Sequence, residues 1–113
     1  MIEQYSFGKI AIKGKIYTND IKIICGRVVP DWWRKNGHRV DIDDIADILK
    51  ENTDILVLGK GKPGLMKSTD SLRKFLQKKE IELIEVSTSK AVDTFNKLLK
   101  EGKRVSAGFH LTC

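Results

Sequence analysis

The first part of the chain alternates apolar and polar residues with the period of a β-strand. Isoleucine returns at every second position in Ile10-Ala11-Ile12 and again in Ile21-Lys22-Ile23, and Gly14 lies between two such runs. Successive side chains of a strand point to opposite faces, and glycine is favoured in tight turns. Residues 6–24 are therefore predicted to form antiparallel strands with one buried face.

Beyond residue 40 the apolar spacing changes to that of amphipathic helices. Three stripes recur every three to four residues, which predicts three helices, the second beginning near Ser68. Asp41 is the expected N-cap of the first helix, and Gly102 is expected to end the third. The stripes are Ile42, Ile45, Ile48 and Leu49; Leu72, Phe75 and Leu76; and Ala91, Val92, Phe95, Leu98 and Leu99.

Three further apolar runs predict strands. Residues 55–58 are continuously apolar, the pattern of a strand buried on both faces, and residues 81–86 and 104–109 supply the other two. From residue 54 the order is strand, helix, strand, helix, strand, which requires parallel strands and right-handed crossovers. The fold class is therefore α/β. The antiparallel N-terminal strands either extend this sheet, making it mixed, or form a small layer beside it.

Length and composition limit the function classes. A chain of 113 residues forms one domain, residues 1–113, whose core needs no metal or disulfide. Cys25 and Cys113 are too few for a disulfide framework or a four-ligand zinc site, so we predict no metal and no cofactor. The first residues show neither a signal peptide nor an anchor. We therefore expect a cytoplasmic protein with no membrane segment.

The formal net charge of +6 is concentrated in the second half of the chain. Residues 1–53 hold nine Lys or Arg against eight Asp or Glu, giving +1, whereas residues 54–113 hold twelve against seven, giving +5. A basic surface attracts nucleic acid or small anions, but it also serves solubility alone. Charge therefore does not choose a partner.

Three polar loops are predicted to meet at the carboxyl ends of the parallel strands, where ligands bind in open α/β sheets. They are residues 59–64, 87–89 and 110–113. Glycine-loop amides, hydroxyls at a helix N-terminus, lysines and a histidine together favour a small anion or phosphate. The candidate ligand residues in these loops are Gly59, Lys60, Gly61, Gly64, Thr88, His110 and Thr112.

The glycine loop has two other interpretations. It matches G-x-G-x-x-G, and Glu85 ends the next strand where a ribose-binding acid belongs in a dinucleotide fold. Against this, Pro63 removes an amide and the chain lacks a second mononucleotide half. Leu65 stands where a Walker loop has its lysine. The loop is thus an anion site, a dinucleotide site or only a tight turn.

The sequence offers few candidate catalytic residues. His38 and His110 have no neighbouring Cys, Asp or Glu in a pattern that indicates a metal site or a nucleophile pair. On a continued last strand, His110 and Thr112 would share one face and Cys113 the other. His110 is accordingly either a structural, hydrogen-bonded residue or a ligand residue.

Segment 30–38 combines aromatic and cationic residues around an Asn-Gly tight-turn signal. Trp32, Trp33, Arg34 and His38 form a candidate partner-binding surface, because Trp and Arg anchor many interfaces. The alternative is that one indole ring enters the core and the other covers it. Nucleic acid is the least favoured partner, since no RNA-binding aromatic signature or recognition helix is present.

Several of these motifs, in this order, resemble the Mth-type domain family over nearly the whole chain. They are Trp33-Arg34, Gly59-x-Gly61, Thr88-x-x-Ala91-Val92-x-x-Phe95-Asn96 and Phe109-His110-x-Thr112-Cys113. The resemblance implies a compact three-layer α/β fold with a mixed sheet, and no established activity or cofactor. It adds Asn96 to the candidate ligand residues. Asparagine is unfavourable inside a helix, so Asn96 is alternatively expected to face the edge of the core and tie down a neighbouring loop. The complex I assembly role of a distant mitochondrial branch is not carried over.

Two functions follow from these features. The favoured one is a noncatalytic protein-interaction or assembly module that uses segment 32–39 for a protein partner or self-association. The alternative is a protein, possibly an enzyme, that binds a small anion or phosphate at the three loops. No nucleophile, base and orienting group can be placed together from the sequence, which is why the first is favoured.

Overall fold

A five-stranded mixed sheet is the centre of the fold. The computed structural model describes residues 1–113. The main sheet has the order β5-β4-β10-β7-β9, in which β10, β7 and β9 are parallel and β4 is antiparallel to both of its neighbours. The strands are β1 Ile2–Ser6, β2 Lys9–Ile12, β3 Lys15–Tyr17, β4 Ile21–Ile24, β5 Arg27–Val29, β6 Arg39–Val40, β7 Ile55–Gly59, β8 Lys67–Ser68, β9 Glu82–Val86 and β10 Val105–Phe109.

The sequence allowed the N-terminal strands either to extend the main sheet or to form a separate layer, and the structure contains both arrangements. β1, β2 and β3 form a separate three-stranded antiparallel sheet, whereas β4 and β5 extend the main sheet and make it mixed. The small sheet and helix α3, Thr88–Lys100, cover one face of the main sheet. A 3-10 helix, Ile42–Ile45, and helices α1, Ala46–Leu49, and α2, Asp70–Lys78, cover the other. The predicted three-layer α/β fold is thus confirmed.

The first predicted helix is interrupted. Asp41 caps it as expected, through a reciprocal pair of hydrogen bonds with Asp44. The α-helical ladder then fails, because the Asp44 carbonyl accepts from Trp32 Nε1 and the amide of Ile48 bonds to the Asp47 side chain. Local side-chain bonds of this kind compete with the helix. A 3-10 turn followed by one α-helical turn is the result.

The other helices follow the sequence pattern closely. α2 begins at Asp70 rather than near Ser68, because Ser68 belongs to β8, which pairs in parallel with β6. Thr69 caps α2 by accepting from the Leu72 amide. Gly102 follows α3 with a φ of +79°, the left-handed conformation that ends many helices.

None of the three helices is long and apolar enough to cross a membrane.

Asn96 ties the two sheets together through α3. Its side-chain oxygen accepts from the amide of Ile2 at 3.0 Å, and its side-chain nitrogen donates to the carbonyl of Ile2 at 2.8 Å. Both ends of the amide are therefore engaged with β1. This bonding places Asn96 in the framework of the fold and away from the loops with which the sequence grouped it.

Asn96→Ala should lower the free energy of unfolding by about 1–3 kcal/mol, because it leaves the backbone groups of Ile2 without partners. Urea unfolding followed by circular dichroism measures the change. Lys97→Ala, on the exposed side of the same helix, is the matched control and should stay within about 0.5 kcal/mol of wild type. Equal stabilities for the two variants would contradict the role given to Asn96.

Candidate functional site

The three predicted loops do meet at the carboxyl end of the main sheet. β7, β9 and β10 end side by side, since Gly59 lies opposite both Val86 and Phe109. The Gly61 amide donates to Thr88 Oγ1 at 2.8 Å, and that hydroxyl donates to the His110 carbonyl at 2.6 Å. Thr88 therefore joins all three loops from the first turn of α3.

The amides at this junction are bonded to one another. Besides the Gly61 amide, those of Lys60, Lys62, Leu65 and Thr88 each donate to a carbonyl within the chain. A Cβ on Gly61 would lie 2.2 Å from the Thr112 carbonyl oxygen, and one on Gly59 would lie 2.9 Å from Thr88 Oγ1. The glycines thus allow a close approach of backbone to backbone. This packing favours a tight loop, because these five amides donate within the chain and are not free to cradle an anion.

Asp20 is the residue that sequence reasoning missed. It directly precedes β4, and its carboxylate lies 2.7 Å from both Arg34 Nη2 and His110 Nδ1. The other carboxylate oxygen accepts from the Leu111 amide, and the Asp20 carbonyl accepts from the Trp32 amide. Asp20 carries no sequence signal of its own, since aspartate after Thr18-Asn19 is ordinary turn composition.

Arg34 is almost completely buried, with 4% of its side chain exposed. Nε and Nη2 donate to the Gly37 carbonyl, Nη2 also donates to Asp20, and the guanidinium lies 4.4 Å from the centroid of the Trp32 ring. Nη1 is buried and has no hydrogen-bond partner. The cation is therefore fixed by three neighbours on one side and has unused donors on the other.

His110 likewise has one ring nitrogen in a hydrogen bond and the other without a partner. Its Nδ1 lies 2.7 Å from the Asp20 carboxylate, so Nδ1 carries the proton of that bond, and its approach to Arg34 Nη2 at 3.3 Å is a contact between two donors. Nε2 is buried without a partner, and the side chain is 8% exposed. The ring of His38 meets His110 edge-on with centroids 5.5 Å apart. Asp20 thus orients the His110 ring and leaves Nε2 unpaired.

Two ionisable groups respond to this arrangement. Burial pushes the pKa of Asp20 upward, but hydrogen bonds from His110, the Leu111 amide and Arg34 outweigh it and hold the pKa below its ordinary value. Burial, and then the Asp20 carboxylate, raise the pKa of Tyr5, whose hydroxyl donates to the Leu111 carbonyl at 2.9 Å. The Asp20 carboxylate is therefore the form that the folded protein stabilises.

The two tryptophans have opposite environments. Trp32 is 6% exposed, and its ring lies so close to Gly108 that a Cβ there would be 2.7 Å from it. Trp33 is 87% exposed. Of the two indoles that the sequence placed at a partner surface, Trp33 is available to a partner, whereas Trp32 belongs to the core.

A cleft of about 520 Å³ opens beside these residues. Its lining combines two cations, two carboxylates, an exposed indole and a hydroxyl-bearing residue of the C-terminal tail. Of the ligand residues predicted from sequence, Thr112 alone borders it. The lining groups that matter below are Asp20, Asp31, Trp33, Arg34, Lys35 and Thr112.

Comparisons with known proteins agree with the resemblance seen in the sequence. Residues 2–110 match the family described as "Protein of unknown function (DUF498/DUF598)". A conserved hypothetical protein from Pyrococcus horikoshii is 30% identical, with a TM-score of 0.79 over 100% of this chain and 99% of that one. A Bordetella pertussis protein described as a Mth938-like domain is 18% identical, with a TM-score of 0.69 over 97% of this chain and 84% of that one. The Mth-type assignment is confirmed.

A third relative differs in its description. A Bartonella henselae protein described as an outer membrane protein is 27% identical, with a TM-score of 0.84 over 99% of this chain and 94% of that one. The same fold thus occurs in proteins from several organisms.

Gly61→Ala should cost more than about 3 kcal/mol of stability, because it adds a clash with Thr112 to the strain of a φ of +99°. Gly64→Ala is the matched control: its φ is +112°, but its Cβ would meet nothing closer than 3.7 Å, so about 1–2 kcal/mol is expected. Chemical denaturation measures both. Equal losses would contradict the close approach at Gly61.

Asp20→Asn should lower stability by about 3 kcal/mol at pH 7, because Arg34 becomes a buried cation without its carboxylate. Since the folded pKa of Asp20 is depressed, its contribution is present above the unfolded value of about 3.9 and is lost as pH falls through the folded value. The gap between wild type and variant should therefore shrink in acid.

Urea unfolding between neutral and acidic pH measures that gap. Asp54→Asn, which breaks an exposed pair with Arg104, is the control and should change stability by less than about 1 kcal/mol. A gap for Asp20→Asn that stays constant down to acidic pH would contradict the assignment.

Proposed function

The chain belongs to the DUF498/DUF598 family of unknown function, and from its surface we propose that it is a noncatalytic binding domain for an acidic protein partner. The observation that carries the proposal is the exposure of Trp33, together with Phe7 and Leu65, which are exposed in segments that hydrogen-bond to the same C-terminal tail. We call this surface the Trp33 face and define it as Phe7, Trp33 and Leu65.

The three segments that carry these side chains approach the C-terminal tail from different directions along the chain. Phe7 precedes Gly8, whose amide donates to the Leu111 carbonyl at 2.8 Å, and the Leu65 amide donates to the Cys113 carbonyl at 3.0 Å. Trp33 lines the same cleft as Thr112. Large apolar side chains exposed together at one place are typical of protein interfaces, and tryptophan is the commonest anchor among them.

The charge around the Trp33 face favours an acidic partner. Exposed lysines stand within three residues of each apolar member of the face: Lys9 beside Phe7, Lys35 beside Trp33 and Lys62 beside Leu65. The whole chain carries +6. Asp31 is the one exposed acidic residue within the same distance, so cations predominate, and a mainly cationic rim around an apolar centre steers a partner of the opposite sign.

The groups at this end of the sheet give less support to catalysis. The Thr88 hydroxyl is occupied on both sides, as acceptor from Gly61 and donor to His110. Small-anion binding at the three predicted loops is likewise the weaker candidate, because five of the amides at their junction donate within the chain. An exposed apolar anchor such as Trp33 supports recognition of a partner better than either.

The proposal is tested by photo-crosslinking in cells. A benzophenone amino acid at position 33 should trap one or a few acidic proteins, and the yield should fall at high salt because the rim is cationic. The same residue at position 103 is the control, since Lys103 is exposed at the opposite end of β10. Lys35→Glu in the position-33 protein should reduce the yield further.

Equal trapping at positions 33 and 103, or trapping that salt and Lys35→Glu leave unchanged, would contradict an acidic partner at the Trp33 face. Trapping of a second copy of the chain alone would replace the acidic partner by self-association. Sedimentation of the purified protein identifies that case.

A further inference from the structure

A second cleft, of about 430 Å³, lies where α2 begins, and most of its charged residues are cations. Its lining includes His38, Arg39, Lys67 and Arg73. We propose that this cleft binds a small hydroxylated phosphomonoester, such as a sugar phosphate, with the phosphate group held by Arg39 and Lys67. This site goes beyond the proposed function, because it requires a small molecule and no protein partner.

The short parallel pair of β6 and β8 places two cations side by side. Arg39 lies directly opposite Lys67, and Val40 lies directly opposite Ser68. Val40 and Ser68 are buried whereas Arg39 and Lys67 are exposed, so the two cations lie on the same outer side of the strand pair. Like charges directly opposite each other on neighbouring strands repel and destabilise the pairing. An anion bound by both cations would remove that repulsion.

Neither of these cations has a partner within the fold. The Arg39 guanidinium and the Lys67 ammonium form no ion pair and no side-chain hydrogen bond. The Asp41 carboxylate accepts from the Ile42 amide and the Thr69 hydroxyl, and it interacts with Arg39 only through longer-range charge. Both cations are exposed at the cleft, so their donors are free for a ligand.

The third cation of the lining is compensated. Asp70 is the sole acidic residue of the lining, and it pairs with Arg73 Nη2. Arg73 Nη1 donates to the carbonyl and the hydroxyl of Ser68, and that hydroxyl donates to Glu85. After this pairing the cleft retains two uncompensated positive charges.

Two uncompensated positive charges favour a dianion over a monoanion. A phosphate monoester carries close to two negative charges at neutral pH, because its second pKa is about 6. The planar guanidinium of Arg39 can donate to two phosphate oxygens at once, and the Lys67 ammonium adds a compact point charge. A carboxylate would leave one of the two cations without a counter-charge.

The size and polarity of the cleft define the rest of the ligand. About 430 Å³ lies within the range of small-molecule sites. None of the lining residues is apolar, so an aromatic or lipid body would gain little from burial there. The exposed carboxylate of Asp70 can accept a hydrogen bond from a hydroxyl group of the ligand. A sugar phosphate fits both features.

The test uses the wild-type protein and three probes: ribose 5-phosphate, ribose and phenyl phosphate. His38 lines the cleft and His110 is the only other histidine of the chain, so the ring signals of His38 report on binding by NMR. At neutral pH and constant ionic strength, ribose 5-phosphate should shift these signals saturably, with a dissociation constant of roughly 1 mM or below. Ribose should produce no shift, and phenyl phosphate should bind no more tightly than ribose 5-phosphate.

No saturable shift with ribose 5-phosphate, or equal shifts with ribose, would overturn the proposal. Tighter binding of phenyl phosphate would overturn the hydroxylated body of the ligand.

Two variants locate the site. Arg39→Gln and Lys67→Gln each remove one cation from an exposed position, and each should weaken ribose 5-phosphate roughly tenfold or more. Their Tm without ligand should stay at or above that of wild type, because the repulsion between the two cations is relieved. Lys103→Gln is the control: it removes the same charge at the opposite end of β10 and should bind as wild type does.

Unchanged affinity in Arg39→Gln and Lys67→Gln would overturn the location. Equal weakening in Lys103→Gln would reduce the binding to a general attraction between an anion and a basic protein, and would overturn the site. Binding of ribose 5-phosphate without crosslinks at position 33 would remove the protein partner and keep this site. Crosslinks at position 33 without such binding would do the reverse.

Discussion

The carboxylate of Asp20 joins the segments of the chain that form the candidate site. It accepts from the Arg34 guanidinium, the His110 imidazole and the Leu111 amide, which come from a loop after β5 and from the tail after β10. The orientation of the candidate site depends on this partly buried anion and its donors, which also help to hold the C-terminal tail in place.

The sheet explains why Asp20 stands where it does. β4 is antiparallel to β10, so β4 begins where β10 ends, and Ile21 lies opposite Phe109. β5 returns beside β4 and brings the segment that contains Arg34 to the same edge. The tail is held there from the other side as well, because the Thr112 carbonyl accepts from the Lys62 amide and leaves no room for a Cβ on Gly61.

Hydrophobic spacing predicted much of the fold. The continuous apolar run at 55–58 is β7, the stripe from Ala91 to Leu99 is on α3, and Gly102 ends that helix. The prediction of the first helix was only partly correct, because the helix is interrupted where Trp32 Nε1 donates to the Asp44 carbonyl. Such a contact between residues far apart in the chain leaves no trace in helical periodicity.

The candidate site was harder to predict, because it too depends on contacts between residues that are far apart in the chain. The sequence placed His110 and Arg34 in separate candidate sites, one for a ligand and one for a partner, and the structure brings both to Asp20. That meeting requires the order β5-β4-β10, which the pattern of apolar residues did not determine. The two tryptophans are adjacent in sequence, and only the observed path of the loop separates a core indole from an exposed one.

The most direct test of the role of Asp20 is to determine which ring nitrogen of His110 carries a proton at neutral pH. The ¹⁵N chemical shifts of the ring, measured by long-range correlation NMR, give the answer. The account predicts a proton on Nδ1, held by the Asp20 carboxylate. An Nδ1 without a proton would show that Asp20 does not orient this ring, and it would contradict the arrangement on which the tail and the candidate site depend.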